Sequence, residues 1–297
     1  MNESRALSTN KKYLTWIRDF KDFLRNYIKN EEFSIENACR FIAFRSLMGR
    51  SSGIQTFNFA LKAELLALGL EDFSHNAKIA STLKGMERRL SKTSPAKRIR
   101  DAMPVETIVK HMLNQEASKS PLWLRDCTAL AIGTRCMSRP SEVVALKAND
   151  VIDKGQFIEV RIRFTKVDQL GKGTFIAIEK LQDPRICPAS FILRLIKCDG
   201  ISGEDWIFRT ANGNKLSPAA LSSMIKRIGA LYENSSNLKL SGHSLRIGGA
   251  TAAVQGGMTD AQIRSIGQWK SNALDLYLRS LATAKSKASE KMGFIIQ

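Results

Sequence analysis

The chain has 297 residues, 43% of them hydrophobic, enough apolar material for one large packed domain or two ordinary ones, and its formal net charge of +18 argues for a polyanionic partner over a small metabolite. Nucleic acid is the leading candidate and an anionic membrane surface the weaker one; no stretch approaches the roughly 20 apolar residues of a membrane span, and MNESRALSTNKK lacks the apolar core of a signal peptide, so an intracellular, DNA-associated location is expected. Cys39, Cys127, Cys136, Cys187 and Cys198 form no CxxC pair and His75, His111 and His243 no HExxH, so a disulfide framework is excluded and a chemistry without metal or cofactor is expected.

In chain order, Tyr13, Trp16, Ile17, Phe20, Phe23, Leu24 and Tyr27 recur at helical spacing behind Ser8-Thr9-Asn10, which resembles a helix cap. Further helical runs around 35–48, 53–68 and 74–94 complete a bundle, and at this spacing the aromatic stripe reads as core and not as a base-stacking surface. Between Lys78 and Arg100 eight basic residues face one acid, Glu87, and Ser91-Lys92-Thr93-Ser94-Pro95 marks a break. The sequence therefore predicts a helical domain over 1–94 and a basic linker over 95–103. Lys84, Arg88, Arg89, Lys92, Lys97, Arg98 and Arg100 are the candidate contacts to DNA phosphates.

A second domain is expected over 104–297, with helices near 104–116 and 121–135. Phe157, Glu159, Arg161 and Arg163 alternate with Ile158, Val160, Ile162 and Phe164, followed by Gly171-Lys172-Gly173 and the apolar run 174–178, which predicts a hairpin. Helices return from about 188, broken at Asn212-Gly213-Asn214 and Gly256-Gly257. The expected fold class is mainly α with a small antiparallel sheet.

Four patterns in this second half supply the parts of phosphoryl transfer. Arg139-Pro140-Ser141-Glu142 places a guanidinium at an expected helix start with Glu142 one turn on; taken alone it reads more readily as a surface ion pair. His243 and Arg246 are spaced to share a helical face, although a single histidine is more often structural. Lys166, at the end of the expected strand, is placed to donate a proton to a leaving alkoxide, as is Lys172 in the same hairpin. Tyr277 follows Trp269-Lys270-Ser271; a phenol becomes a useful nucleophile only beside strong positive charge.

The order Arg, Lys, His-x-x-Arg, Trp, Tyr resembles the catalytic order of the tyrosine recombinase, or phage integrase, family. Arg139, Glu142, Leu146 and Asp150 match its first box, R-x-x-E-x-x-x-L-x-x-x-D, and His243, Leu245, Arg246, Ala250 and Thr251 match its second. The likeness extends over about residues 8 to 285, its helical N-terminal part resembling the family's core-binding, SAM-like domain. Trp269-Lys270-Ser271-x-Ala273, together with His243-Ser244-Leu245-Arg246-x-Gly248-Gly249, resembles the recombinases of mobile elements such as DIRS-like and crypton elements.

The resemblance implies that Arg139 and Arg246 bind the non-bridging oxygens of the scissile phosphate, with His243 and Trp269 assisting and Glu142 in support. It further implies that Lys166 is the general acid, that Tyr277 forms a 3′-phosphotyrosyl link, and that a homo-tetramer assembles on duplex DNA. A site-specific recombinase or integrase is thus expected. The alternatives are a type IB topoisomerase-like nicking and closing enzyme and a non-catalytic DNA-binding protein of the same fold. The segment 280–291 reads as a tail helix, and the apolar end Phe294-Ile295-Ile296 is suited to docking on a neighbouring subunit or on the chain's own core.

Overall fold

The computed structural model describes residues 7–49, 53–93, 100–163 and 173–269. The chain separates into two compact units, Met1–Arg98 and Ile99–Gln297.

The first unit is built from α1 (Leu7–Phe23), which runs on into a π-helical turn over Leu24–Ile28, then α2 (Ile35–Leu47), α3 (Ile54–Ala67) and α4 (Ala77–Thr93). Helix α1 packs on α3 and α2 on α4. The aromatic stripe is the core: Phe20, Phe41 and Phe57 are fully buried with ring centroids 4.9–5.2 Å apart. Tyr27 departs from the expectation at 62% exposure, because the widened turn carries it to the rim, where it stacks on Phe23 at 5.7 Å. Ser8-Thr9-Asn10 also differs from its expected role, since all three residues lie inside α1. Short polar side chains are tolerated near a helix start without ending it. Ser34 is a true cap, its Oγ accepting from the Asn37 N–H at 3.2 Å. On α4, Ile79, Leu83 and Met86 turn inward while Lys84, Arg88 and Arg89 face solvent, the division that helical periodicity demands.

The second unit opens with α5 (Val105–Met112), α6 (Gln115–Ser118), α7 (Trp123–Arg135) and α8 (Pro140–Val143). The helix expected over 104–116 is two helices, because the Asn114 side chain accepts from the Ala117 N–H at 2.9 Å and starts α6 afresh. A three-stranded antiparallel sheet follows, in the order β1 (Val151–Asp153), β2 (Phe157–Ile162) and β3 (Thr174–Glu179). Ile158 and Val160 pair across to Ile178 and Ile176 and all four face the core, which is the phase that the alternation predicts. Strand β1 is too short to leave an alternating signal.

Helices α9 (Pro188–Cys198), α10 (Pro218–Ala230), α11 (His243–Gln255) and α12 (Asp260–Gly267) complete the unit. Met103, within the stretch expected to be linker, is buried here and its N–H donates to the Ser244 carbonyl at 2.9 Å. Helix α7 is buried on every side from Asp126 to Thr134, and α11 lies directly against it. That approach depends on Gly248 and Gly249: a β-carbon at either position would run into the backbone carbonyl of Met103 or Thr134. Among the described residues no helix is long and apolar enough to cross a membrane. Cys39, Cys127, Cys136 and Cys187 are buried free thiols, and Cys198 is exposed.

Because the obstacle at Gly248 is backbone, Gly248→Ala is expected to destabilise the protein by about 1–3 kcal/mol. The urea midpoint should fall with an unchanged m-value, and an unaltered midpoint would show that the two segments can part without cost.

Candidate active site

The site begins where α7 stops. Its end is a paired turn in which the Met137 N–H donates to the Thr134 carbonyl and the Ser138 N–H to the Gly133 carbonyl, both at 3.0 Å, with Met137 in the left-handed region at φ 47°. The chain then reverses into Arg139, with Pro140 in the first helical position of α8. The Arg139 guanidinium donates to Glu142 Oε1 at 2.6 Å and its backbone N–H to Glu142 Oε2 at 2.7 Å, so both carboxylate oxygens are engaged by one residue. The Glu142 side chain is only 6% exposed, which sets this pair apart from a surface ion pair. Helix α8 spans only four residues, too few aligned peptides for a useful macrodipole, so the positive charge at this helix start is the guanidinium's.

The second half of the site is the start of α11, which touches the start of α8. Gly242 leaves no room for a side chain, because a β-carbon would enter Pro140, and its N–H donates to Ser222 Oγ at 3.1 Å. His243 follows on the exposed side. Partial burial, then the charges of Arg246 and Arg139, push the His243 pKa below its ordinary value, with Glu142 opposing. This favours the neutral ring, which retains one donor and one acceptor nitrogen.

One turn further, Arg246 points inward and is 3% exposed. Nη1 donates to the Met137 carbonyl and Nη2 to the Gly267 carbonyl, each at 2.5 Å, and the guanidinium lies 4.0 Å from the centre of the Trp269 ring. Trp269, 8% exposed, arrives there because Gln268 turns the end of α12 through the left-handed region at φ 54° and because Gly267 has no side chain to strike the indole. Trp269 shares a small apolar cluster with Met137, Ala250, Ala253 and Ile263.

A third feature escaped sequence reasoning. Arg163, the last described residue of the first hairpin arm, pairs with buried Asp150 and, at 3.0 Å, with Glu204. Lys147 binds the same two acids, through its N–H to Asp150 Oδ2 at 2.9 Å and its ammonium to Glu204 Oε2 at 2.6 Å. Hydrogen bonds from Lys147 and Arg163 hold the Glu204 carboxyl down at about 2. Only the fixed spacing of Asp150 from Arg139 hinted at this clasp, and nothing local marked Arg163 or Glu204 as its partners.

The fold thus brings Arg139, Glu142, His243, Arg246 and Trp269 together. Lys166, Lys172 and Tyr277 lie outside the described residues, as do Lys97, Arg98 and the tail over 280–297, while Lys92 falls at the end of α4. Lys84, Arg88 and Arg89 belong to the first unit, and Arg100 is exposed in the second. Among the described residues no group of three or more His, Cys, Asp or Glu side chains could hold a metal ion.

Since Glu142 alone among the named influences raises the His243 pKa, Glu142→Gln should move the His243 ring titration further below its wild-type midpoint, as followed by NMR. An upward shift would mean that Glu142 does not act on the ring as a nearby negative charge.

The model of the phage integrase family matches residues 102–282. Among solved structures, a lambda integrase dimer bound to a COC′ core site is similar with a TM-score of 0.57 at 18% identity, covering 91% of this chain and 90% of that one. The Tn1549 transposon integrase in complex with circular intermediate DNA gives 0.57 at 14% identity, covering 98% and 95%. The XerH site-specific recombinase bound to difH substrate gives 0.52 at 14% identity, covering 93% and 95%. At these identities the likeness is one of fold. No curated protein sequence gives a significant match.

Proposed function

This chain belongs to the phage integrase family and is a site-specific tyrosine recombinase, a DNA strand transferase that acts by transesterification; from that premise we propose that Tyr277 is its nucleophile and that Arg139, His243, Arg246 and Trp269 form the cradle for the scissile phosphate. The observation that carries this reading is the convergence on His243, which lies one turn from Arg246 and beside the Arg139–Glu142 pair, where Gly242 abuts Pro140, so that all three charges bear on its ring. Two guanidiniums and an imidazole from the starts of α8 and α11 meet at one place, where a single phosphate would meet them all.

In the proposed reaction the Tyr277 oxygen attacks phosphorus and gives its proton to solvent water, a P–O bond to tyrosine forms, and the P–O5′ bond breaks. The departing 5′ oxygen takes a proton from Lys166, or from Lys172 in its place. Negative charge grows on the non-bridging oxygens as the transition state forms. Arg139, locked by Glu142, and Arg246, locked by two carbonyls, meet that charge without reorganising. His243 adds a further hydrogen bond to the same phosphate. The phosphotyrosine keeps the energy of the diester, so a 5′-hydroxyl of a second strand reverses the step and rejoins the DNA.

Duplex DNA is the substrate in this reading, supported by the net charge of +18 and by exposed Lys84, Arg88 and Arg89 on one helix. Four protomers would assemble on two duplexes. An open apolar groove of about 280 Å³, lined by Val105, Ile108, Met112, Ala131, Met137 and Ala253 among others, supports this by offering the apolar tail a place on a neighbouring copy.

A nicked suicide duplex tests the nucleophile. Wild-type protein should accumulate a covalent adduct and Tyr277→Phe none; equal adduct from both would sink the assignment. Replacing Lys84, Arg88 and Arg89 with alanine should reduce the slope of log affinity against log salt by about 0.9 for each phosphate that is no longer neutralised. An unchanged slope would place the DNA elsewhere. Removing residues 286–297 should leave binding of one site intact and abolish paired-site complexes on native gels, whereas unaltered pairing would count against docking of the tail in trans.

A further inference from the structure

We propose that Met137 and Gln268 are positioning residues for the strand-cutting step, because their left-handed backbones aim two helix-end carbonyls at Arg246. The proposal rests on the reading of Arg246 as a phosphate-binding residue.

A positive φ is unfavourable for any residue with a β-carbon, and helices that end in this way usually place glycine there. Among the described residues nine glycines take such angles and only three other residues do: Lys29 at 64°, Met137 at 47° and Gln268 at 54°. Lys29 lies in the first unit. The other two are more than a hundred residues apart in sequence and end different helices, α7 and α12, yet they serve one guanidinium. At each end the turn has the same form, with N–H bonds from Met137 to Thr134 and Ser138 to Gly133, and from Gln268 to Ser265 and Trp269 to Arg264. Nη1 of Arg246 takes the carbonyl of Met137 itself, and Nη2 takes the carbonyl of Gly267, immediately before Gln268. Backbone outliers that converge in this way point to function more readily than to chance.

The choice of methionine has its own reason. Its side chain belongs to the buried cluster that includes Trp269, and Trp269 covers the face of the same guanidinium at 4.0 Å. Glycine would ease the turn but remove that support. Met137 therefore holds Arg246 by its carbonyl and, through Trp269, by its side chain. Gln268 is half-buried and outside that cluster, so its contribution is the turn alone. The negative ends of two helix dipoles meet at the same cation and favour its buried position. An arginine fixed in plane and in rotation by two carbonyls and a ring is already arranged for the transition state.

The test separates backbone from packing. Met137→Ile keeps the apolar volume but places a β-branched residue where φ must be positive, whereas Met137→Leu keeps the volume without the branch. Gln268→Val and Gln268→Gly make the same comparison at a half-exposed position, so that a failure of Met137→Ile to fold leaves the question answerable. Formation of the covalent adduct on a nicked suicide duplex is measured in a single turnover at saturating protein. Met137→Ile and Gln268→Val should cleave about tenfold to a hundredfold more slowly, with Met137→Leu and Gln268→Gly near wild type and duplex affinity the same for all.

A second duplex carries a methyl group in place of one non-bridging oxygen of the scissile phosphate. Its neutral centre makes little demand on a guanidinium, so the two slow variants should approach the wild-type rate on it. Equal rates within each pair of variants would overturn the proposal, as would a loss of the same size on both duplexes, which is what simple loss of stability produces. A wild-type protein that forms no adduct would instead remove the nucleophile reading, and this inference with it.

Discussion

A buried guanidinium without carboxylate neighbours on its own helix must recover its lost hydration from whatever lies around it, and at Arg246 the backbone supplies the recovery. Two carbonyl oxygens at helix ends and an indole face surround it. Much of the second unit follows from this one need. Helices α7, α11 and α12 have to meet within hydrogen-bond reach, and the helices can come so close only where side chains are missing. Gly248 meets the Met103 backbone, Gly249 meets the Thr134 backbone, and Gly267 lies under Trp269. The small residues of α11 are consequences of where Arg246 has to be.

The other arginine is held by the opposite strategy. Arg139 is half-buried and stands in a reverse turn, where a carboxylate one helical turn away grips both its side chain and its backbone. Glu142 is in turn kept from solvent by the core behind it. One cation is thus held by neutral dipoles and one by a full charge, and both lie near enough to His243 to favour its neutral form. The result is a patch of fixed positive potential with a neutral hydrogen-bonding group in its middle, suited to an anion whose charge increases as it reacts.

Beyond the cradle, the clasp of Asp150, Arg163, Glu204 and Lys147 anchors the base of the hairpin. Asp150 is almost fully buried, and it binds Arg163 at the point where β2 ends and the segment bearing Lys166 begins. The spacing of Asp150 from Arg139 then has a structural reason, since one short stretch has to place an arginine at the cradle and an anchor at the sheet.

Periodicity was enough to read the helices of both units and the phase of the sheet, because burial of one face leaves a repeat in the sequence whatever the face is packed against. The order and spacing of Arg139, Glu142, His243 and Arg246 named the chemistry through their resemblance to the boxes of the phage integrase family, since each pattern taken alone reads as an ordinary structural one. Sequence could not show the short length of α8, the break at Asn114, or the exposure of Tyr27, which depend on local competition among hydrogen bonds. Nor could it show Met137, Gln268 and Gly267 as the supports of Arg246, or Glu204 as the partner of Arg163. These contacts join residues distant along the chain and use backbone carbonyls, which every residue possesses, so no residue type records them. Only the tertiary structure, by bringing two helix ends to one guanidinium, decided which carbonyls would hold it.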